Sequence, residues 1–216
     1  MTWRIDYHKT LLNVRRKISR LEGAYSSRGW KQDFAASPYL GSLVVELDNL
    51  CVDALRSYAI SIIRREQANG LSIRRIGRKA LADGEYSALV MEILRSGQYK
   101  QKSRPLQIAR REEPTVRDPT QIRRILTAVN APIQIDFDNA IALNYGVFSN
   151  MKHHRHYYAH RNKNTFLEIF NNFSQLRLGL IKNPDDALHI RTAGSGIPQY
   201  LEWTAEIRTF FEVAVR

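Results

Sequence analysis

The 216-residue chain has one cysteine, Cys51, so it has no internal disulfide. That excludes a disulfide-stapled scaffold and favours a reducing compartment. The chain is short of acid: 21 Asp and Glu stand against 33 Lys and Arg, a formal net charge of +12. No uncharged apolar run approaches the roughly 20 residues that a spanning helix needs. The opening Met-Thr-Trp-Arg-Ile-Asp-Tyr-His has no apolar stretch of the signal-peptide kind. Few segments alternate with period two, and there is no internal repeat or low-complexity tract. These absences predict a soluble, cytoplasmic, basic protein with no membrane partner. A hydrophobic content of 44% is ordinary for a globular domain and argues against whole-chain disorder. The length allows one domain or two small ones, and a single domain over 1–216 is expected.

An excess of cations points to a polyanionic partner, because Lys and Arg gain affinity by releasing counterions condensed on phosphates. The charge is unevenly placed. Residues 1–32 carry eight basic and two acidic side chains, and residues 64–79 carry six basic groups against Glu66. Residues 151–164 carry four more cations and no acid.

Apolar spacing predicts an all-α chain of about six to eight helices, most simply a bundle. Tyr7, Leu11, Val14, Ile18 and Leu21 form one stripe of a basic N-terminal helix, and Gly23 with Ser26–Gly29 predicts its end. Ser42 is the expected N-cap of a long helix with Leu43, Leu47, Leu50, Cys51, Leu55, Tyr58 and Ile62 on its apolar face. Arg64, Arg65 and Gly70 suit the C-terminal end of that helix. A further helix is expected over Leu71–Leu81, broken at Asp83-Gly84, and another ends near Gly97. Residues 98–118 read as a basic loop or insertion: either a solvated mobile loop or one that contacts RNA. Helices are expected at Thr120–Val129, Asp136–Tyr158, Thr165–Ile181 and Tyr200–Val215. Thr165 with Glu168 has capping-box spacing. Residues 182–198 read as loop, with room for a short strand at Leu188–Thr192.

The most unusual stretch is Met151–Asn164. It holds four of the six histidines, His153, His154, His156 and His160, among Lys152, Arg155, Arg161 and Lys163. Three readings suit it. The first is a metal site, since His153, His156 and His160 can share one helix face. But the zinc-protease pattern would need Glu at 157, where Tyr stands, and a positive field without a carboxylate opposes a dication. The second is a structural or solvated basic turn. The third is chemistry on a phosphodiester. Metal-free RNA cleavage needs a group that moves protons near neutral pH and a fixed cation for the phosphorane-like transition state. Neighbouring cations would depress a histidine here, leaving a neutral fraction to act as base. Arg155 and His160 are five residues apart, about 140° around a straight helix. They would converge only across a wide groove or at a helix end, with a second protomer supplying further groups.

Arg155-His156-Tyr157-Tyr158-Ala159-His160 resembles the Arg-x4-His motif of the HEPN superfamily, in which a polar residue follows the Arg and the motif sits near a helix end. The Ala-His-Arg-Asn run at 159–162 is similar to runs in prokaryotic defence-associated members. The resemblance covers roughly 120–180, with looser helical agreement over 42–65. It implies a HEPN-like helical bundle and a homodimer with two motifs facing across a two-fold cleft. It implies a metal-independent endoribonuclease with no cofactor, in which the RNA 2′-hydroxyl attacks the adjacent phosphate. On that carry-over His160 is the general acid/base, Arg155 binds the scissile phosphate and His156 orients the pair. Lys152, Arg161, Asn162 and Lys163 would contact RNA. The setting would be a toxin or antiviral-defence effector, with an antitoxin or a defence-complex subunit as a further partner. Asn162 stands where one subset of the family has a Tyr that its antitoxin modifies. The rival is a non-catalytic nucleic-acid-binding or assembly subunit of a defence complex. Of the remaining residues, Glu46 and Asp48 read either as partners for Arg155 or as a solvated helix face. Cys51 reads as a buried hydrophobe. Tyr157 and Tyr158 read as base-stacking or core residues.

Overall fold

The structure, a computed structural model, describes residues 2–27, 36–65, 82–129, 131, 134–173, 179, 182–191 and 195–215. For 2–7, 36 and 62–65 it describes the backbone alone. The expected helix at Leu71–Leu81, most of the 64–79 basic cluster and the Gly70 cap lie outside the described residues.

Among the described residues the chain is all-α. It forms α1 (Thr2–Ser27), α2 (Ala36–Arg65), α3 (Asp83–Leu94), α4 (Ser96–Gln101), α5 (Pro119–Val129), α6 (Gln134–Ala142), α7 (Val147–His160), α8 (Lys163–Asn172), α9 (Pro184–His189) and α10 (Gln199–Ala214). A 3-10 turn lies at Arg110–Glu112. Of the strand considered at Leu188–Thr192, Thr192 lies outside the described residues, and 188–191 form no strand. Leu188 and His189 end α9, and Arg191 makes only an isolated bridge to Pro198.

The chain divides into two compact units, to both of which α1, α2 and α10 contribute. One unit comprises Met1–Leu11, Val52–Ala142 and Val213–Arg216. Its core takes Leu55 and Tyr58 from α2, Leu89 and Val90 from α3, Ile122, Ile125 and Leu126 from α5, and Phe137 from α6. The Tyr58 ring stacks on Phe137 at 5.3 Å, and its hydroxyl donates to the Ala214 carbonyl at 2.7 Å. The other unit comprises Leu12–Cys51 and Leu143–Glu212. Val14, Ile18 and Leu21, spaced four and three, bury the stripe of α1. Leu43, Leu47, Leu50 and Cys51 do the same for α2. Trp203, Ile207, Phe210 and Phe211 fill the core from α10. Full burial of each such side chain contributes about 2 kcal/mol.

Several boundaries differ from the sequence reading, each for a physical reason. α1 runs through Gly23 to Ser27. Tyr25, buried and stacked on Tyr200 at 4.8 Å, rewards about one further turn. α2 begins at Ala36, so Ser42 lies inside the helix and is not its cap. Pro38 is tolerated because first-turn N–H groups have no helical partner. Gly41 is there for space: a Cβ would sit 2.8 Å from Cδ1 of Tyr158 on α7. Asp83 and Gly84 open α3, and Glu85 accepts the Ala82 N–H at 2.6 Å. Gly97 lies inside the short α4, and α3 has already ended at Leu94.

The single long helix expected at Asp136–Tyr158 is two helices. Asn144 takes a left-handed φ of 49°, and Glu206 of α10 accepts the Val147 N–H at 2.9 Å. A carboxylate at a helix N-terminus satisfies one free donor and meets the positive end of the dipole. α8 begins at Lys163, capped by Asn162, with Thr165 in the third position of the capping box. The expected box of Thr165 with Glu168 is therefore not formed. Within 182–198, Asn183 caps the short α9, which the loop reading did not include.

Candidate functional site

The Met151–Asn164 stretch spans the last ten residues of α7, the turn at Arg161 and Asn162, and the start of α8. Arg161 closes α7 in a left-handed conformation, with its N–H on the Tyr157 carbonyl. Asn162 immediately accepts the Thr165 N–H at 3.0 Å. This tight connection packs α8 against α7.

The four histidines fall into different environments. His154 is 1% exposed, edge-on to Trp203 at 5.1 Å and to Phe173 at 5.7 Å. Burial pushes it down to about 4, so it is a neutral core residue. His153 is half-buried, lowered first by burial and then by Lys152. The depression expected from neighbouring cations is, at His153, second to desolvation. His156 Nδ1 donates to Oε2 of Glu168 at 2.8 Å, and His153 Nδ1 lies 3.8 Å from the same oxygen. The imidazoles hold the Glu168 carboxyl below its ordinary range. An ionised carboxylate only accepts, so Nδ1 of His156 carries the proton of this bond and Nε2 points elsewhere. His160, exposed in the last turn of α7, meets the His156 ring edge-on at 4.7 Å.

Arg155 leaves the helix toward α2. Its Nε lies 3.2 Å from Oδ2 of Asp48, and the two side chains are 33% and 3% exposed. The approach is an ion pair without hydrogen-bond alignment. Glu46, the other carboxylate considered for Arg155, instead binds Arg20 at 2.7 Å. Arg155 with Asp48 therefore forms one group. His156, His160 and Glu168 form another on the side of α8. Lys152 is exposed in the second turn of α7, and Arg161, Asn162 and Lys163 are exposed at the helix junction. The Arg161 guanidinium lies 5.8 Å from the centre of the Tyr158 ring.

The two tyrosines pack rather than wait for a base. Tyr158 is buried and donates to Asp185, and Tyr157 covers the cluster of Ile169, Phe173 and Ala187. Cys51 is buried, its thiol pushed up by desolvation and by Asp48. Among the described residues no group of three or more His, Cys, Asp or Glu side chains is placed to hold a metal. No helix among them is long and apolar enough to cross a membrane.

Glu168 is the residue that sequence reasoning missed. The sequence pattern places it in a capping box, outside the acid-free 151–164 stretch. The available signal was Asn162, which is as good an N-cap as Thr165. Starting α8 one residue after Asn162 moves Glu168 from the third position into the second turn, where it can face α7. The site therefore offers a guanidinium held by a buried carboxylate and an exposed imidazole pair oriented by a second carboxylate. Such groups can bind a phosphate and move protons. Comparison of the chain with protein families, curated proteins and solved structures finds no match in any of the three.

Proposed function

We propose that this chain is a metal-independent endoribonuclease of the HEPN type, acting as a toxin or antiviral-defence effector in the cytoplasm. The observation that carries the reading is the exposed His160 at the end of α7. It lies edge-on to a His156 whose Nδ1 is engaged by Glu168, five residues from an Arg155 tethered to Asp48. In this reading His160 moves the proton of the attacking 2′-hydroxyl or of the leaving 5′-oxygen. Arg155 stabilises the charge that develops on the phosphorane, and His156 orients the imidazole pair. Lys152, Arg161, Asn162 and Lys163 guide the RNA backbone. Arg155 and His160 belong to different side-chain groups, so the reading calls for a homodimer in which a second chain completes the cleft. An antitoxin or defence-complex subunit is the expected further partner.

The test is RNA cleavage by wild type, Arg155→Ala and His160→Ala with EDTA present. Loss of cleavage in both variants, with wild type active, supports the reading. Cleavage that needs added Mg²⁺, or a His160→Ala protein that cuts normally, overturns it. One observation favours a second reading, a non-catalytic nucleic-acid-binding subunit. The Arg155 guanidinium is already engaged by Asp48, as it would be in a structural ion pair. That reading expects RNA binding that weakens with salt and survives His160→Ala, with no cleavage.

A further inference from the structure

The sequence has no acidic residue between Glu92 and Glu112, but it has six basic ones there. All six are exposed. Two are neutralised: Lys102 pairs with Glu112 at 2.9 Å, and Arg110 with Glu113 at 3.6 Å. Arg95, Lys100, Arg104 and Arg111 have no ion pair among the described residues; Arg95 reaches only Gln98, at 3.4 Å.

The loop that carries them is built into its unit. Ile108 is buried with Ala88, Met91 and Tyr99. Its N–H donates to the Gly84 carbonyl at 3.1 Å. A Cβ at Gly84 would stand 3.2 Å from the Ile108 carbonyl oxygen, so the glycine admits the loop. Tyr99 donates its hydroxyl to the Pro105 carbonyl at 3.0 Å, and its own carbonyl accepts the Arg104 N–H at 3.0 Å. Glu113 clamps the far end. It accepts hydrogen bonds from Nε and Nη2 of Arg56 and from the Ser87 hydroxyl. Between these anchors Ser103 and Arg104 are both left-handed, at φ of 62° and 53°. Two consecutive non-glycine residues in that region are strained, and such strain persists only where the surroundings over-determine it. Residues 98–118 are thus tethered to their unit at both ends and at Ile108.

Four unneutralised cations on one tethered segment make a locally positive surface, which favours a polyanion. Because the loop is already ordered, binding loses little conformational freedom. Leu106, 51% exposed among these cations, adds an apolar face against which a base can lie. We propose that Arg95, Lys100, Arg104 and Arg111 form a preorganised surface for the phosphate backbone of single-stranded RNA, additional to the residues around α7. The choice of RNA rests on the reading above; the existence of the surface does not.

The test is binding of a fluorescein-labelled 2′-O-methyl RNA 20-mer by the full chain, followed by anisotropy across a salt series. This probe has no free 2′-hydroxyl and stays whole whether or not the chain cleaves RNA. Loss of cleavage and loss of this surface are therefore read separately. The triple variant Lys100→Gln, Arg104→Gln, Arg111→Gln should bind about tenfold or more weakly, and its log–log salt slope should fall by about 2. The control is Arg15→Gln, Arg20→Gln, Arg123→Gln, which removes the same charge from cations already paired with Glu212, Glu46 and Asp138. It should lose less than about threefold. Equal losses in the two triple variants, or an unchanged loop variant, would overturn the proposal.

Discussion

Arg56 and Arg155 both meet a carboxylate that is out of water, and they meet it differently. The Arg56 guanidinium is 15% exposed and engages Glu113 through two nitrogens at 2.9–3.1 Å. It adds Asp83 at 2.8 Å, and Glu113 takes the Ser87 hydroxyl as well. Nε and Nη2 of Arg56 and both Glu113 oxygens are used, and the network joins α2, α3 and the loop before α5. Arg155 has one approach of 3.2 Å to Asp48, poorly aligned, and a third of its side chain remains in solvent. The residue types are the same. A bidentate, water-excluded pair is a structural fastening. A loosely held guanidinium with free donors is still able to take a ligand. The histidines of α7 repeat the contrast over six residues: His154 is enclosed by aromatic rings, whereas His160 is open.

The comparison can be broken by mutation, and the largest effect is expected at the fastening. Glu113→Ala leaves Arg56 buried and partly unpaired. It should cost about 3–5 kcal/mol in urea unfolding. A loss under about 1 kcal/mol would mean that the network is not the fastening it resembles.

Next comes acid. His154 is lowered from 6.5 to about 4 in the folded chain. The unfolded chain therefore binds the proton first as pH falls. The stabilisation is complete above pH 6.5 and is lost as pH drops toward 4, by about 3 kcal/mol. His153 and His189, lowered by burial too, act in the same direction. Unfolding midpoints across pH 4–7.5 should show this decline. His154→Phe should flatten it, and an equally steep decline in that variant would refute the assignment.

A smaller effect is expected at Asp48. Asp48→Asn keeps the shape and releases a guanidinium that can turn to water. It should cost about 1–2 kcal/mol in stability, well below Glu113→Ala. In the proposed enzyme it should also slow RNA cleavage by about tenfold, since Arg155 loses its tether. A stability loss equal to that of Glu113→Ala would erase the distinction between the two arginines.

The parts of the fold legible in the sequence are those where one helix face is buried. Val14, Ile18 and Leu21 in α1, Leu43 to Tyr58 in α2, and Ile122 to Val129 in α5 repeat at helical spacing, and periodicity finds them. What escaped depended on partners distant in sequence. Gly41 and Pro38 read as a boundary because nothing local shows that Tyr158 will pack against Gly41. The break before Val147 depends on Glu206, and its local sign was the Asn144–Gly146 pair. The candidate site was legible as a composition, four histidines among cations, but not as an arrangement. Its environments are set by α2, α8 and α10, which bring Asp48, Glu168 and Trp203. Local sequence therefore could not separate the enclosed His154 from the open His160.

The most direct test of the central claim is sequencing of RNA ends after incubating RNA with wild type and His160→Ala in EDTA. The account predicts new 5′-hydroxyl and 2′,3′-cyclic phosphate ends with wild type, reduced by about 10²–10⁴-fold in the variant. No new ends with wild type, or equal ends with both proteins, would contradict it.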